Sequence, residues 1–299
     1  EIEHLQLTKN VLTELNPKST FIYLAGDSSL DSKYWFRETA TACNGYENIL
    51  DPPKMKQDIC YHLNDLLEGS GQIVINSAIE ESTLGERKSK LRAQDEFIRD
   101  IITGDDTLIV SVGGNDIALK PSASTVFNML LLQATNSAES MKRGPSSCWG
   151  MNHFVWLFRD QLRAYLLKLF EKNKPKKCIV TMIYFPDEQQ SGGWADRVLG
   201  WLGYYSNPAK LQEAIRQIYK HAISDIHIDG VQVLPHAWFS TLDGKDSSLY
   251  VAGVEPSAKG CAVMARSVLP LLIDADDANR SPPVVGEKRR RVKVRKQRQ

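Results

Sequence analysis

The stretch that decides the fold is Phe21-Ile22-Tyr23-Leu24-Ala25, followed at once by Gly26-Asp27-Ser28-Ser29-Leu30-Asp31. The apolar run is too short for a helix. It is continuous and holds aromatic and β-branched residues, so it reads as a strand buried on both faces. Gly26 ends it and permits a tight backbone turn that leaves a hydroxyl, Ser28, at the strand's carboxyl end. Four more runs have the same character: Ile73–Ile75, Thr107–Val112, Cys178–Ile183 and Val231–Leu234. Between them, apolar residues recur at helical spacing over Lys56–Leu67, Lys90–Ile102, Phe154–Glu171 and Pro208–His227, and a last helix is expected from Ser257 to about Leu272. Strand alternating with helix predicts a parallel sheet wrapped by helices through right-handed crossovers. The expected architecture is a flavodoxin-like three-layer α/β/α domain with a five-stranded parallel sheet.

At 299 residues, 42% hydrophobic and 24% charged, the chain has the composition of an ordinary globular protein with one substantial core. The expected organisation is an N-terminal helical extension over 1–19 and one domain over 20–273. Insertions at 120–149 and 192–205 interrupt that domain, and a disordered basic tail over 274–299 follows it. The formal charge of +1 conceals an asymmetry: residues 287–299 carry eight Lys or Arg, leaving 29 basic and 35 acidic side chains before them. The body is therefore mildly acidic, which argues against a nucleic-acid enzyme; the tail alone has the look of a nuclear-import or polyanion-binding segment. No apolar run approaches the roughly 18 residues needed to span a bilayer, so no membrane partner is expected. Five cysteines lie scattered at irregular spacing without a CxxC pair, which argues against a zinc site and a disulfide framework. Free thiols and the tail together favour an intracellular setting. No cofactor motif is read.

Sheets of this type place chemistry at the carboxyl ends of their strands. After the first strand stands Gly26-Asp27-Ser28, which on its own is equally a solvated turn. After the third stands Gly113-Gly114-Asn115-Asp116, where the glycines allow close backbone approach and the Asn115 amide is a neutral donor able to meet an oxyanion. Taken alone, that too is a turn. Both at the ends of neighbouring strands, in this order, form a specific pair.

On these two blocks the chain resembles the SGNH (GDSL-type) hydrolases. Val254-Glu255-Pro256-Ser257-Ala258-Lys259-Gly260 is similar to that family's last block, Asp-x-x-His-Pro-Ser-x-x-Gly. The resemblance spans residues 20–273. It implies Ser28 as nucleophile, with its own N–H and the amide of Asn115 as oxyanion donors, and an ester carrying an acyl or acetyl group as substrate. Two departures stand out. Asn76–Thr83, after the second strand, lacks the family's glycine, leaving a backbone N–H near Glu80 as the substitute donor. In the last block Glu255 stands at the position of the family's His and Ala252 at that of its Asp.

Two residues are candidates for the missing base. His236 is expected just beyond the last strand, on the side of the sheet where Ser28 emerges. Glu255 is the other, although a carboxylate with an ordinary pKa near 4.3 is a weak base, and the following helix N-terminus is expected to weaken it further. Asp27, Gly114, Glu80 and Trp194 are expected to line the binding pocket. Trp194 belongs to an aromatic insertion that either overhangs the site or packs on the body. Three functions remain open: a serine esterase or acyl hydrolase, a catalytically impaired relative that binds a carbohydrate or acylated ligand, and an acyltransferase. The partner in each is a small ester or acylated carbohydrate.

Overall fold

The computed structural model describes residues 2–273, and the basic tail lies outside the described residues. The five expected runs form one parallel sheet: β1 (Thr20–Gly26), β2 (Gln72–Asn76), β3 (Thr107–Ser111), β4 (Lys177–Met182) and β5 (Gln232–Ala237), in the order β2-β1-β3-β4-β5. This is the flavodoxin order, which reverses direction between β1 and β3 and opens a crevice beyond their carboxyl ends.

Strand composition follows position in the sheet. In the central β1, β3 and β4 nearly every residue is buried, whereas β5, at the edge, is half exposed and tolerates Pro235, whose missing N–H costs little there. Side-chain alternation divides the core. Phe21, Tyr23 and Ala25 face the layer containing helices Ala93–Ile101, Leu162–Leu169 and Pro208–His221. Ile22 and Leu24 face helices Ile59–Leu66 and Ala258–Leu272. The N-terminal helix Ile2–Leu15 contributes Leu12 to the first layer. All five cysteines are buried and unpaired. No helix among the described residues is long and apolar enough to cross a membrane.

Several element ends differ from the sequence expectation. The helix expected from Lys56 begins at Ile59, because Lys54–Lys56 pairs with Thr39–Thr41 as a small antiparallel ribbon and Asp58 caps the helix by accepting from the Tyr61 N–H at 2.9 Å. The helix expected over 154–171 starts earlier, at Met151, and contains a π-helical turn over Trp156–Gln161. The helix from Pro208 stops at His221, and β5 extends to Ala237, so His236 lies within the strand.

The turn after β1 depends on Gly26. Its φ of +145° is a conformation that side chains avoid, and a Cβ there would lie 1.7 Å from the carbonyl oxygen of Ser111 on the neighbouring strand. Replacing Gly26 with Ala must push β1 and β3 apart at the crevice. The expected result is a loss of about 3 kcal/mol or more in urea unfolding, with loss of soluble protein in the limit. An unchanged midpoint would show that the turn is not clamped in this way.

Candidate active site

The loop after β1 is held from beneath by buried polar groups. The Gly26 carbonyl accepts three hydrogen bonds: from the Ile79 N–H at 3.0 Å, the Ser82 hydroxyl at 2.8 Å and the Arg87 guanidinium at 3.1 Å. Arg87 is fully buried and paired with the equally buried Asp95, Nε to Oδ2 at 2.9 Å, and Asp95 in turn accepts from the Tyr165 hydroxyl at 2.6 Å. Asp27 is also buried. Its Oδ1 accepts from the Ser29 N–H at 3.1 Å, and the Ser29 hydroxyl bridges that oxygen at 2.7 Å and the Ser111 hydroxyl at 2.6 Å. Burial pushes the Asp27 carboxyl up to about 6 against the Ser29 hydrogen bonds and the charge of Arg87.

The block after β3 is tied to the loop after β2. Asp116 accepts the N–H groups of Leu84 and Gly85, both at 2.8 Å, and Asn115 donates one amide hydrogen to the Ser82 carbonyl at 3.1 Å. An amide nitrogen has two hydrogens. The second has no partner among the described residues, and Asn115 lines the same cavity as Ser28. The Ser28 N–H is likewise without a partner among the described residues. Two candidate oxyanion donors therefore border one cavity.

Ser28 is 8% exposed, and it borders the cavity together with Asp27, Gly114, Asn115 and Glu255. Its hydroxyl donates to Glu255 Oε1 at 3.2 Å. Glu255 is buried, in a short strand pair with Val251, and its Oε2 has no hydrogen-bond partner among the described residues. Burial pushes this carboxyl up to about 8; the Ser28 hydrogen bond opposes the shift, and the charges of Asp27 and Glu80 add to it. The sequence expectation was the reverse, a carboxylate made weaker by the helix N-terminus. The helix beginning at Ala258 is instead capped by Ser257, whose hydroxyl accepts the Gly260 N–H at 3.1 Å, and the loss of water around Glu255 outweighs the dipole.

The structure does not bring His236 to this site. Inside β5, opposite Thr181, its imidazole Nε2 lies 3.0 Å from the Ser267 hydroxyl on the last helix, and it does not border the Ser28 cavity. The strand runs one residue past it, to Ala237, and pleating turns its ring towards the helix layer. None of the six histidines lines the cavity. Glu80 also stands outside the cavity. It is half-buried, and its backbone N–H donates to Asp31 Oδ2 at 3.4 Å, so the substitute donor expected in this loop is already engaged. Ala252, at the position of the expected Asp, adopts φ +51° in the turn before Glu255, so no side chain orients the carboxyl from there.

Trp194 lines the cavity and packs with Ala195, Leu199 and Tyr204; the aromatic insertion thus both overhangs the site and packs on the body. Sequence reasoning missed the Arg87–Asp95–Tyr165 support and most of the cavity wall. The helices Ala123–Thr135 and Pro208–His221 supply Met129, Leu132, Ala214, Ile215 and Ile218. The first helix has no charged residue in its 13 positions, the one signal by which that wall could have been found.

No family model matches the chain, and no curated protein matches it. Among solved structures, a carbohydrate esterase family 3 protein from Talaromyces cellulolyticus is similar at 10% identity and TM-score 0.41, covering 85% of this chain and 96% of that one. Phospholipase A1 from Streptomyces albidoflavus is similar at 12% identity and TM-score 0.41, covering 85% and 98%. An extracellular lipase from Streptomyces rimosus is similar at 10% identity and TM-score 0.39, also covering 85% and 98%.

Proposed function

We propose that this protein is a serine acyl hydrolase in which Ser28 and Glu255 form a catalytic dyad that works at alkaline pH. The observation that carries this reading is the hydrogen bond from the Ser28 hydroxyl to a buried carboxyl whose pKa stands near 8. An ordinary carboxylate is too weak to take a serine proton; one raised to about 8 has the basicity usually supplied by a histidine. Ionised Glu255 accepts the proton as Ser28 Oγ attacks the ester carbonyl. The oxyanion then sits against the Ser28 N–H and the second amide hydrogen of Asn115. Neutral Glu255 returns the proton to the departing alkoxide, and the same carboxylate later activates water to release the acid.

One observation favours a second reading, a binding protein that uses the same cavity. At neutral pH most of the Glu255 carboxyl carries its proton, and a neutral acid cannot serve as base. The pH dependence of turnover separates the two. For hydrolysis of p-nitrophenyl esters, corrected for the spontaneous rate, kcat/KM is expected to rise about tenfold per pH unit towards pH 8 and to level above it. Ser28→Ala and Glu255→Gln should each lose at least about 100-fold at pH 9. A rate that is flat from pH 6 to pH 9, or one that survives Ser28→Ala, would remove the dyad.

The raised carboxyl also has a consequence for stability. Below the reference value of 4.5 the group is neutral in both folded and unfolded chains and makes no difference. Between 4.5 and about 8 the unfolded chain ionises while the folded one does not, so stability falls as pH rises through this window, then stays level above it. Glu255→Gln abolishes that loss. In urea unfolding the variant should match the native protein near pH 4 and exceed it by a few kcal/mol at pH 8.5. An equal difference at both pH values would mean that the carboxyl is not held neutral by burial.

A further inference from the structure

The cavity beside Ser28 has most of its polar residues at one end, although Gln133 and Lys210 also line it. Asp27, Ser28, Ser29, Asn115 and Glu255 cluster where β1, β3 and the last block converge, while the greater part of the lining is carbon. Away from Ser28 the wall is made by Met141, Phe154, Ala214, Ile215 and Ile218, all buried, so that end is closed to water. The side walls come from the segments that interrupt the simple strand–helix alternation: Met129 and Leu132 from one, Val198 and Leu199 from the other. The polar side chains of Gln133 and Lys210 are engaged in latches that join these walls. Lys210 Nζ donates to the Gln133 carbonyl, and Gln133 Nε2 donates to the Leu202 carbonyl. Three separate segments thus close over one apolar chamber of about 160 Å³ that ends at the candidate nucleophile.

We propose that this chamber is an acyl-chain pocket, selecting straight saturated acyl groups of about six carbons over acetyl groups, with the carbonyl held at Ser28. The length follows from volume: an apolar cavity of about 150 Å³ takes up benzene, six carbons, and stays dry when empty. A sugar would leave its hydroxyls facing the carbon of Phe154, Ile215 and Ile218 without partners, which opposes the acylated-carbohydrate reading when the sugar is placed inside. The acyl end of the ester enters, and the alcohol remains outside. This selectivity rests on the serine-hydrolase reading for its carbonyl position, but the pocket itself is measurable without catalysis.

Ser28→Ala keeps the chamber and removes the attacking hydroxyl, so esters bind to it without being consumed. Methyl acetate, butanoate, hexanoate and octanoate are titrated into this variant by calorimetry. Association is expected to strengthen about fourfold per added methylene as far as hexanoate, and to gain nothing further at octanoate. Ala214→Leu, placed in the same background, fills the closed end and should lower the hexanoate-to-acetate affinity ratio at least about tenfold. Met141→Ala deepens that end and should extend the gain to octanoate. Equal affinity for acetate and hexanoate in Ser28→Ala overturns the pocket, whether or not the native protein hydrolyses esters. Chain-length-dependent binding with no turnover of p-nitrophenyl hexanoate at pH 9 by the native protein leaves the pocket standing and removes the hydrolase reading.

Discussion

The site hangs on one carbonyl oxygen. Gly26 ends the central strand β1, and its oxygen is gripped by a backbone N–H, a hydroxyl and a guanidinium, from Ile79, Ser82 and Arg87. These three donors come from the segment after β2, so the grip fixes the turn that carries Asp27 and Ser28 against the neighbouring loop. The same segment returns the Ser82 carbonyl to Asn115, and the Leu84 and Gly85 N–H groups to Asp116. First, second and third strand ends are thereby locked in one hydrogen-bonded unit. The positive charge beneath it is buried and fully committed to Asp95 and to backbone carbonyls, an arrangement that is costly to break because a lone buried charge would remain.

Above this unit the electrostatics follow from the exclusion of water. Two carboxyl groups flank Ser28, and both are raised, Asp27 to about 6 and Glu255 to about 8. The difference has a local cause. Asp27 has two hydrogen bonds from Ser29 and the charge of Arg87 to stabilise its ionised form, while among the described residues Glu255 has the single Ser28 hydroxyl and an oxygen without a partner. A pair of acids pushed apart in pKa by their surroundings is a common way to divide roles in an active site. Here the one with fewer hydrogen bonds contacts the Ser28 hydroxyl.

The fold as a whole was legible because burial leaves a period in the sequence. Strands buried on both faces appear as unbroken apolar runs, and the alternation with helices dictates a parallel sheet. The ends of elements were less legible, since capping and pairing are decided by neighbours: Lys56 looks helical until Lys54–Lys56 pairs with Thr39–Thr41. The same holds for His236. A strand end misplaced by three residues turned an edge-strand histidine, bonded to Ser267, into an apparent rim residue.

By itself the sequence determined the strand-and-helix order and the placement of Ser28 and Asn115 at neighbouring strand ends. Only the tertiary structure decided what Glu255 is. Local reasoning sees a glutamate before a helix and lowers its pKa; the folded chain removes its water and sets two other carboxylates near it, which raises the value. The cavity was likewise a tertiary outcome, assembled from residues as far apart in the chain as Asp27 and Glu255, and the apolar side chains among them carry no mark to distinguish a cavity wall from core. Solvation and long-range packing depend on everything that surrounds a group, and a linear pattern records only what stands next to it in the chain.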